Sequence, residues 1–219
     1  IMKTEAEKRP APAGRIGLLA DSHGDLERTE RAAAALLDAG AERLIHLGDF
    51  CDTVQEASWV RVMETLQRHR MLAVKGNNDF LVETILKERA PGPDPAEGVL
   101  RAYLKALPMT RIEDGLCFAH SLPYDSLRSF YEPVDDGTTA KAVPIFRATP
   151  HRILFCGHAH TPVLFRWRQG AATREAIPAD KPVRLAAAER YIIVVGAVED
   201  GECALYDAGN GVYRRLRLE

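Results

Sequence analysis

The sequence predicts an α/β fold with two β-sheets, one largely parallel and one extended by hairpins towards the C-terminus. In the first half, short apolar runs alternate with stretches of helical spacing, a pattern typical of parallel βαβ units. The last third contains short runs separated by Gly, Pro or Asp, which predicts antiparallel strands. The 219 residues suffice for one large domain. We therefore expect a single domain over 15–219, preceded by a flexible N-terminal arm over 1–14.

The first half divides into strands and helices by its apolar pattern. Buried strands are predicted at 15–20, 43–47 and 71–74, because each run is short and mostly apolar. Helices are predicted between them at 26–39 and 54–70, where apolar side chains recur at helical spacing. This part of the chain therefore alternates strand, helix, strand, helix and strand.

The middle of the chain is less regular, and strands dominate the part that follows it. Asp114-Gly115 predicts a hairpin turn between strands at 109–112 and 116–119. Further helices are predicted at 80–89, 98–107 and 138–148. A buried strand is predicted at 152–156, and six short strands follow at 163–167, 171–177, 183–187, 191–195, 202–206 and 212–218.

Composition argues against several classes of protein. A net charge of -2 disfavours a general nucleic-acid binder, which usually needs a basic surface. No apolar run reaches about 18 residues, so we expect no membrane span. The four cysteines form no C-x-x-C pair, and Cys117 and Cys156 lie inside apolar runs. These features predict buried, reduced thiols and a cytoplasmic protein.

Side chains of the types that bind metals follow five of the predicted strands. In open α/β sheets, sites form beyond the carboxyl ends of the strands. Each residue alone has a structural alternative, such as a helix cap, a turn or a core histidine, but their joint placement predicts one shared site. His46, inside a predicted strand, is expected to pack in the core. The candidate ligands are Asp21, His23, Asp49, Asn77, His120, and the two histidines of Gly157-His158-Ala159-His160.

The chemistry of these seven residues favours two metal ions over one. They offer oxygen and nitrogen donors without thiolates, which suits Mn, Fe, Zn, Ni or Co and disfavours a structural zinc site. Seven ligands are too many for one ion that keeps an open position. Two divalent ions would leave the site positive, since Asp21 and Asp49 are its only carboxylates. Such a site favours an anionic substrate such as a phosphate ester.

The order of these motifs resembles that of the calcineurin-like metallophosphoesterase family. The motifs are Asp-x-His, Gly-Asp, Gly-Asn-x-Asp, His and Gly-His-x-His, and the resemblance spans residues 15–207. The branch most similar to the chain contains small bacterial phosphodiesterases and diadenosine-tetraphosphatase-like phosphatases. The resemblance implies the metallo-dependent phosphatase fold, a two-sheet β-sandwich flanked by helices.

The resemblance also implies a role for each candidate ligand. One metal would be held by Asp21, His23 and His160, and the second by Asn77, His120 and His158. Asp49 would bridge the two ions, with Mn expected first and Fe, Zn, Ni or Co also compatible. A hydroxide held by both ions would attack phosphorus in line.

Two departures from the family pattern concern catalysis. Many members have His after Gly-Asn, where this chain has Asn78, and Asn cannot supply a proton near pH 7. The Arg that follows the second Asp in related protein phosphatases is also missing, which argues against that activity. Asp52 remains and is expected to bond Asn78 or a metal ligand. We therefore treat Asn78 and Asp52 as candidate catalytic residues.

These observations predict a hydrolase that acts on a phosphate mono- or diester of a small phosphorylated substrate. Two alternatives remain open at this point. A scaffold that keeps the fold but binds proteins would be favoured by loss of ligands, yet all seven are present. A nuclease would need a groove for a polyanion, which the near-neutral charge does not support. The sequence leaves the physiological substrate and the formation of homo-oligomers open.

Overall fold

The computed structural model describes residues 14–90, 92, 94–179 and 181–218. Apart from Gly14, the predicted N-terminal arm lies outside the described residues. The helices in the described part are α1 (Leu26–Asp38), α2 (Trp59–Arg68), α3 (Asn77–Glu88), α4 (Pro95–Ala106) and α5 (Ala142–Ala148). None of these helices is long and apolar enough to cross a membrane.

The described strands form two six-stranded sheets. The first sheet has the spatial order β3 (Leu72–Ala73), β2 (Arg43–His46), β1 (Arg15–Leu19), β11 (Glu202–Asp207), β12 (Val212–Arg217) and β9 (Val183–Arg184). The second has the order β4 (Thr110–Glu113), β5 (Leu116–Ala119), β6 (Ile153–Cys156), β10 (Arg190–Val194), β7 (Val163–Arg168) and β8 (Ala171–Ala176).

Both sheets are mixed, so the prediction of one largely parallel sheet was wrong. In the first sheet β1, β2 and β3 run parallel, and β11 pairs antiparallel with β1. In the second, β6 pairs parallel with both β5 and β10, while β7 and β8 continue the sheet antiparallel. The late strands are divided between the sheets, because the chain passes from β8 in the second sheet to β9 in the first, returns to β10 in the second and passes again to β11 in the first.

Three apolar clusters hold the sheets and helices in layers. The central cluster packs the facing sides of the two sheets, with Ile16 and Leu18 of β1 against Phe155 of β6. On the outer side of the first sheet, a second cluster joins Leu19 to helices α1, α2, α3 and α4. A third cluster packs α5, through Phe146, on the outer side of the second sheet. The result is a β-sandwich flanked by helices, as predicted.

Several helix boundaries differ from the prediction, and local capping explains two of them. Helix α3 begins at Asn77 instead of residue 80, because the Asp79 carboxylate accepts the N–H of Gly76 at 2.9 Å and so caps the helix. Helix α4 begins at Pro95, where proline is well tolerated, and Asp94 caps it through the N–H of Ala96. Helices α2 and α5 are shorter than predicted.

Candidate metal centre

The loops that follow β1, β2, β5 and β6 are tied together by hydrogen bonds. The N–H of Asp21 donates to the carbonyl of Gly48 at 3.0 Å, which joins the β1 and β2 loops. The N–H of Gly157 donates to the carbonyl of His120 at 3.0 Å, which joins the β5 and β6 loops. The two pairs meet where the N–H of His158 donates to the Asp21 carboxylate at 2.9 Å. The site therefore lies where both sheets end.

Six of the seven predicted ligands form two clusters suited to metal ions. In each cluster, one donor atom per residue lies within 4.8 Å of the others. The first ligand group consists of Asp21, His23 and His160, and the second of Asp49, His120 and His158. The seventh residue, Asn77, extends the second group, since its Oδ1 lies 2.9 Å from Nε2 of His120. The structure thus brings all seven residues together.

His120 presents one defined nitrogen to the site. Its Nδ1 lies 2.9 Å from the carbonyl of Leu47, and because a carbonyl only accepts, Nδ1 carries the proton. The lone pair of Nε2 therefore faces Oδ1 of Asn77 at 2.9 Å and Oδ2 of Asp49 at 3.4 Å. Two ligands about 2.1 Å from one ion and at right angles lie about 3.0 Å apart. These three acceptors consequently fit a bound cation.

Asp49 belongs to the second ligand group and also faces the first. Its Oδ2 is 3.4 Å from Nε2 of His120 in the second group and 4.0 Å from Nε2 of His23 in the first. Asn78 holds both of its oxygens, because the backbone N–H donates to Oδ1 at 2.8 Å and the side-chain amide to Oδ2 at 2.7 Å. The family resemblance implies a bridging role for Asp49, and this role stays a prediction.

The contacts expected for Asp52 were wrong. Its carboxylate accepts the N–H of Val54 at 2.9 Å and the side-chain amide of Gln55 at 3.0 Å. Asn78 bonds Asp49 instead. Asp52 closes a turn on its own loop because the side chain of Asp readily bonds a backbone N–H two residues on. A catalytic role for Asp52 remains a prediction without a contact to support it.

Strained backbone marks the candidate ligands. Five of the seven have a positive φ angle, between 44° and 68°. Non-glycine residues adopt this left-handed region infrequently, and such strain concentrates at functional sites. The five are Asp21, His23, Asp49, His158 and His160.

Two glycines allow the loops to approach this closely. A Cβ at Gly76 would lie 2.1 Å from Oδ1 of Asp49, and one at Gly157 would lie 2.5 Å from Oδ2 of Asp21. Real Cβ atoms do not approach other atoms at these distances. The glycines in Gly-Asn-x-Asp and Gly-His-x-His are therefore required by the packing of the ligands against them.

The electrostatics of the site favour a cation. Burial and then the neighbouring Asp49 raise the pKa of Asp21 well above its usual range. In the described part of the chain, the ion-pair partners of Asp21 and Asp49 are all histidines. Burial and then His120 lower the pKa of His158 to about 4, so its imidazole is neutral at pH 7. Neutral imidazoles bind metals, and bound cations would offset the buried carboxylates.

One buried nitrogen in the first ligand group has no hydrogen-bond partner among the described residues. This nitrogen is Nε2 of His23. Buried polar nitrogens are normally paired, and metal coordination would satisfy this one. The predicted core position of His46 is confirmed, since it is fully buried; its Nε2 lies 2.7 Å from Oγ of Ser22, and its Nδ1 also has no hydrogen-bond partner among the described residues. His46 thus supports the loop that carries Asp21.

Asp79 supports the site and was missed as a functional residue. Its buried carboxylate accepts the N–H of Asp49 at 2.8 Å, of Cys51 at 3.0 Å and of Gly76 at 2.9 Å. It thereby joins the β2 loop to the start of α3. The signal was available, because an acidic residue at the third helical position is typical of a capped helix N-terminus.

Replacing Asp79 with Ala should lower the free energy of unfolding by about 3 kcal/mol or more. Three buried N–H groups would lose their acceptor, and each unsatisfied group costs about 1–3 kcal/mol. Urea unfolding in EDTA would measure this without a contribution from bound metal. The control is Asp94→Ala, which removes a cap bond to Ala96 and should cost about 1 kcal/mol. Equal losses in the two variants would contradict the proposed bracing of the loops.

The loop over 121–137 supplies an aromatic side chain next to the second ligand group. The ring of Phe130 lies 6.3 Å from that of His120 and 6.3 Å from that of Phe80 on α3. Phe130 is largely buried, whereas the neighbouring Tyr131 is 84% exposed. Local sequence pattern could not assign Phe130 to the site, because only the fold places this loop beside His120.

A model of the calcineurin-like phosphoesterase superfamily domain matches residues 15–176. This range contains all seven candidate ligands, three strands of the first sheet and five strands of the second. No curated protein matches the chain at a significant level.

Several solved structures share the fold at low sequence identity. A metallophosphoesterase from Sphaerobacter thermophilus is 22% identical, with a TM-score of 0.73 over 95% of this chain and 89% of that one. TT1561 of Thermus thermophilus is 14% identical, with a TM-score of 0.55 over 95% and 100% of the two chains. An archaeal phosphodiesterase is 16% identical, with a TM-score of 0.51 over 93% and 99%. At these identities the likeness concerns the fold alone.

Proposed function

Since the chain belongs to the calcineurin-like phosphoesterase superfamily, we propose that it hydrolyses a phosphate mono- or diester with two divalent metal ions. One ion would lie in the first ligand group. The other would lie in the second, where Asn77 adds a ligand and Asp49 is shared. Mn²⁺ is the ion we propose first, and Fe, Zn, Ni and Co accept the same donors. The substrate we propose is a small phosphorylated molecule.

The side chains around the site would orient the metal ligands, and the charge left on the site would favour an anionic substrate. When bound, the two ions supply an attacking hydroxide and stabilise the entering and leaving oxygens of an in-line displacement. His120 keeps Nε2 turned to the site through its bond to Leu47, and Asn78 fixes both oxygens of Asp49. Asp21 and Asp49 offset only part of the charge of two divalent ions. The remaining positive charge would attract an anionic phosphate.

The observation that carries this proposal is the pairing of two ligand groups around one carboxylate. A structural zinc site holds a single ion with four protein ligands. Here Asp49 Oδ2 faces both groups, at 3.4 Å from His120 and 4.0 Å from His23, so one carboxylate would serve two ions. With Asn77 and the shared Asp49, each ion would have four side-chain ligands, and a six-coordinate ion such as Mn²⁺ would keep positions for water and substrate.

Hydrolysis of aryl phosphates tests the proposal directly. The EDTA-treated protein would be supplied with Mn²⁺ and assayed on a mono-aryl and a bis-aryl phosphate, with metal content measured in parallel. We expect turnover of at least one ester with Mn²⁺ and none in EDTA. Absence of both metal binding and turnover would support a protein-binding scaffold instead. Cleavage of RNA or DNA in preference to both small esters would support a nuclease.

The presence of Asn78 should make hydrolysis slow for esters with poor leaving groups. General-acid help is worth about 10²–10⁴-fold, and an amide cannot give a proton to the leaving oxygen. We expect aryl esters to react faster than alkyl esters, and Asn78→His to raise the alkyl rate at least about 10-fold over Asn78→Ala. The Ala variant is the control because it also loses the bond to Asp49. Equal aryl and alkyl rates, with chemistry limiting, would contradict this prediction.

A further inference from the structure

A carboxylate outside the predicted ligand set lies against the first ligand group. Oε1 of Glu199 is 3.1 Å from Nδ1 of His160 and 3.7 Å from Nε2 of His23. The Glu199 side chain is 36% exposed, like that of His160, whereas His23 is 16% exposed. The carboxylate therefore stands at the solvent edge of the group, in contact with its two histidines.

The backbone fixes Glu199 in this position. The residue lies in the turn between β10 and β11, where the chain passes from the second sheet to the first. The N–H of Val198 donates to the carbonyl of Ala20 at 2.8 Å, and the N–H of Glu199 donates to that of Asp21 at 3.2 Å. The guanidinium of Arg28 on α1 donates to the Glu199 carbonyl. Glu199 is thus tied to the loop that provides Asp21.

The two nitrogens of His160 face different partners. Nε2 lies 3.7 Å from Oδ1 of Asp21, inside the first ligand group, and Nδ1 faces Glu199. A histidine that binds a metal through one nitrogen commonly donates its other N–H to a carboxylate or carbonyl. That bond fixes the tautomer and the ring orientation and makes the ligating nitrogen more basic.

We propose that Glu199 is a positioning residue for the metal ion of the first ligand group. With the ion bound, its carboxylate, 3.1 Å from Nδ1 of His160, would accept a hydrogen bond from Nδ1–H and so keep Nε2 of that ring turned towards Asp21 and the ion. This inference rests on the proposed function, because it requires a divalent ion in the first ligand group. We therefore expect Glu199 to raise the affinity of the protein for one ion and to leave its affinity for the other ion almost unchanged.

The neighbouring Asp200 provides a matched control. Its Oδ2 is 3.9 Å from the same Nδ1 of His160, which is beyond hydrogen-bond distance, and its side chain is 62% exposed. Asp200→Ala therefore removes the same charge one position along the chain without removing the bond to His160. Glu199→Gln removes the charge but retains an amide oxygen that can accept the bond.

Calorimetric titration of the EDTA-treated proteins with Mn²⁺ tests the proposal. We expect the wild type to bind two ions per chain and Glu199→Ala to weaken one of them about 10–100-fold. Glu199→Gln should recover most of that affinity, and Asp200→Ala should leave both ions close to the wild-type values. The absorption spectrum of the Co²⁺-loaded protein should change in Glu199→Ala, because the geometry of one ion is altered.

The contrary results below distinguish failure of this inference from failure of the proposed function. Unchanged affinities in Glu199→Ala would overturn the positioning role, as would equal weakening by Asp200→Ala, which would assign the effect to surface charge. If Glu199→Gln bound the ion as weakly as Glu199→Ala, the charge of Glu199 and not its hydrogen bond would explain the affinity. That result would also overturn the positioning role. A wild type that binds no ions would overturn the proposed function itself. Equal unfolding free energies in EDTA would exclude misfolding as the cause.

Discussion

Replacing Asp49 with Asn should reduce phosphoester hydrolysis by at least about 10³-fold. The substitution keeps the size of the side chain but removes the negative charge that lies between His120 and His23. It also places an amide N–H₂ against one of the two donors of Asn78. Metal ions contribute several kcal/mol to the transition state, and losing about 4 kcal/mol corresponds to about 10³-fold. kcat/KM on an aryl phosphate and metal content per chain measure the effect.

The control for this substitution is Asp207→Asn. Asp207 lies at the end of β11 and accepts hydrogen bonds from Asn210 in the turn that follows. Its replacement makes the same change of charge outside the ligand groups. We expect this variant to keep wild-type activity and metal content. An Asp49→Asn variant that retains two ions and nearly full turnover would show that the carboxylate is not shared between ions.

Replacing His160 or His158 with Ala should remove different ions. His160 belongs to the first ligand group and His158 to the second, although only Ala159 separates them in sequence. Each variant should bind about one ion per chain and lose at least about 10²-fold in activity, since one ion cannot stabilise both oxygens of the displacement. Native mass spectrometry would give the metal count. Co²⁺ absorption spectra should differ between the variants, because each retains a different set of ligands.

His69→Ala is the matched control for this pair. His69 bonds Glu30 on α1, and its loss should leave metal count and activity unchanged. Identical loss of both ions from His158→Ala and His160→Ala would indicate one tightly coupled site instead of two separable ones. Identical Co²⁺ spectra would lead to the same conclusion.

Much of the fold follows from local pattern, and the sheet assignment does not. The runs that became β1 and β6 are short and apolar, so their strands could be predicted with small errors at the ends. β10 and β11 were both predicted as strands, yet β10 lies beside β6 and β11 beside β1. Nothing in either run distinguishes the two sheets, because both runs are mostly apolar and mostly buried. The crossover is decided by long-range packing.

The ligands were predictable because strand ends place them, whereas their supports depend on tertiary contacts. Asp49 lies three residues after the end of β2, and the sheet brings it to the common edge. Asp79 carried a helix-capping signal, since it is the third residue of α3. Glu199 had no signal, since it approaches His160 from a turn almost 40 residues further along the chain. The contact expected of Asp52 with Asn78 or a metal ligand is replaced by local hydrogen bonds to Val54 and Gln55.

Anomalous X-ray diffraction from Mn²⁺-loaded crystals would locate the bound ions. We expect two anomalous peaks roughly 3.5–4 Å apart. One should lie among Asp21, His23 and His160, the other beside His120 and His158, and the Asp49 carboxylate should contact both. A single peak, or two peaks that Asp49 does not join, would contradict a two-metal phosphoesterase.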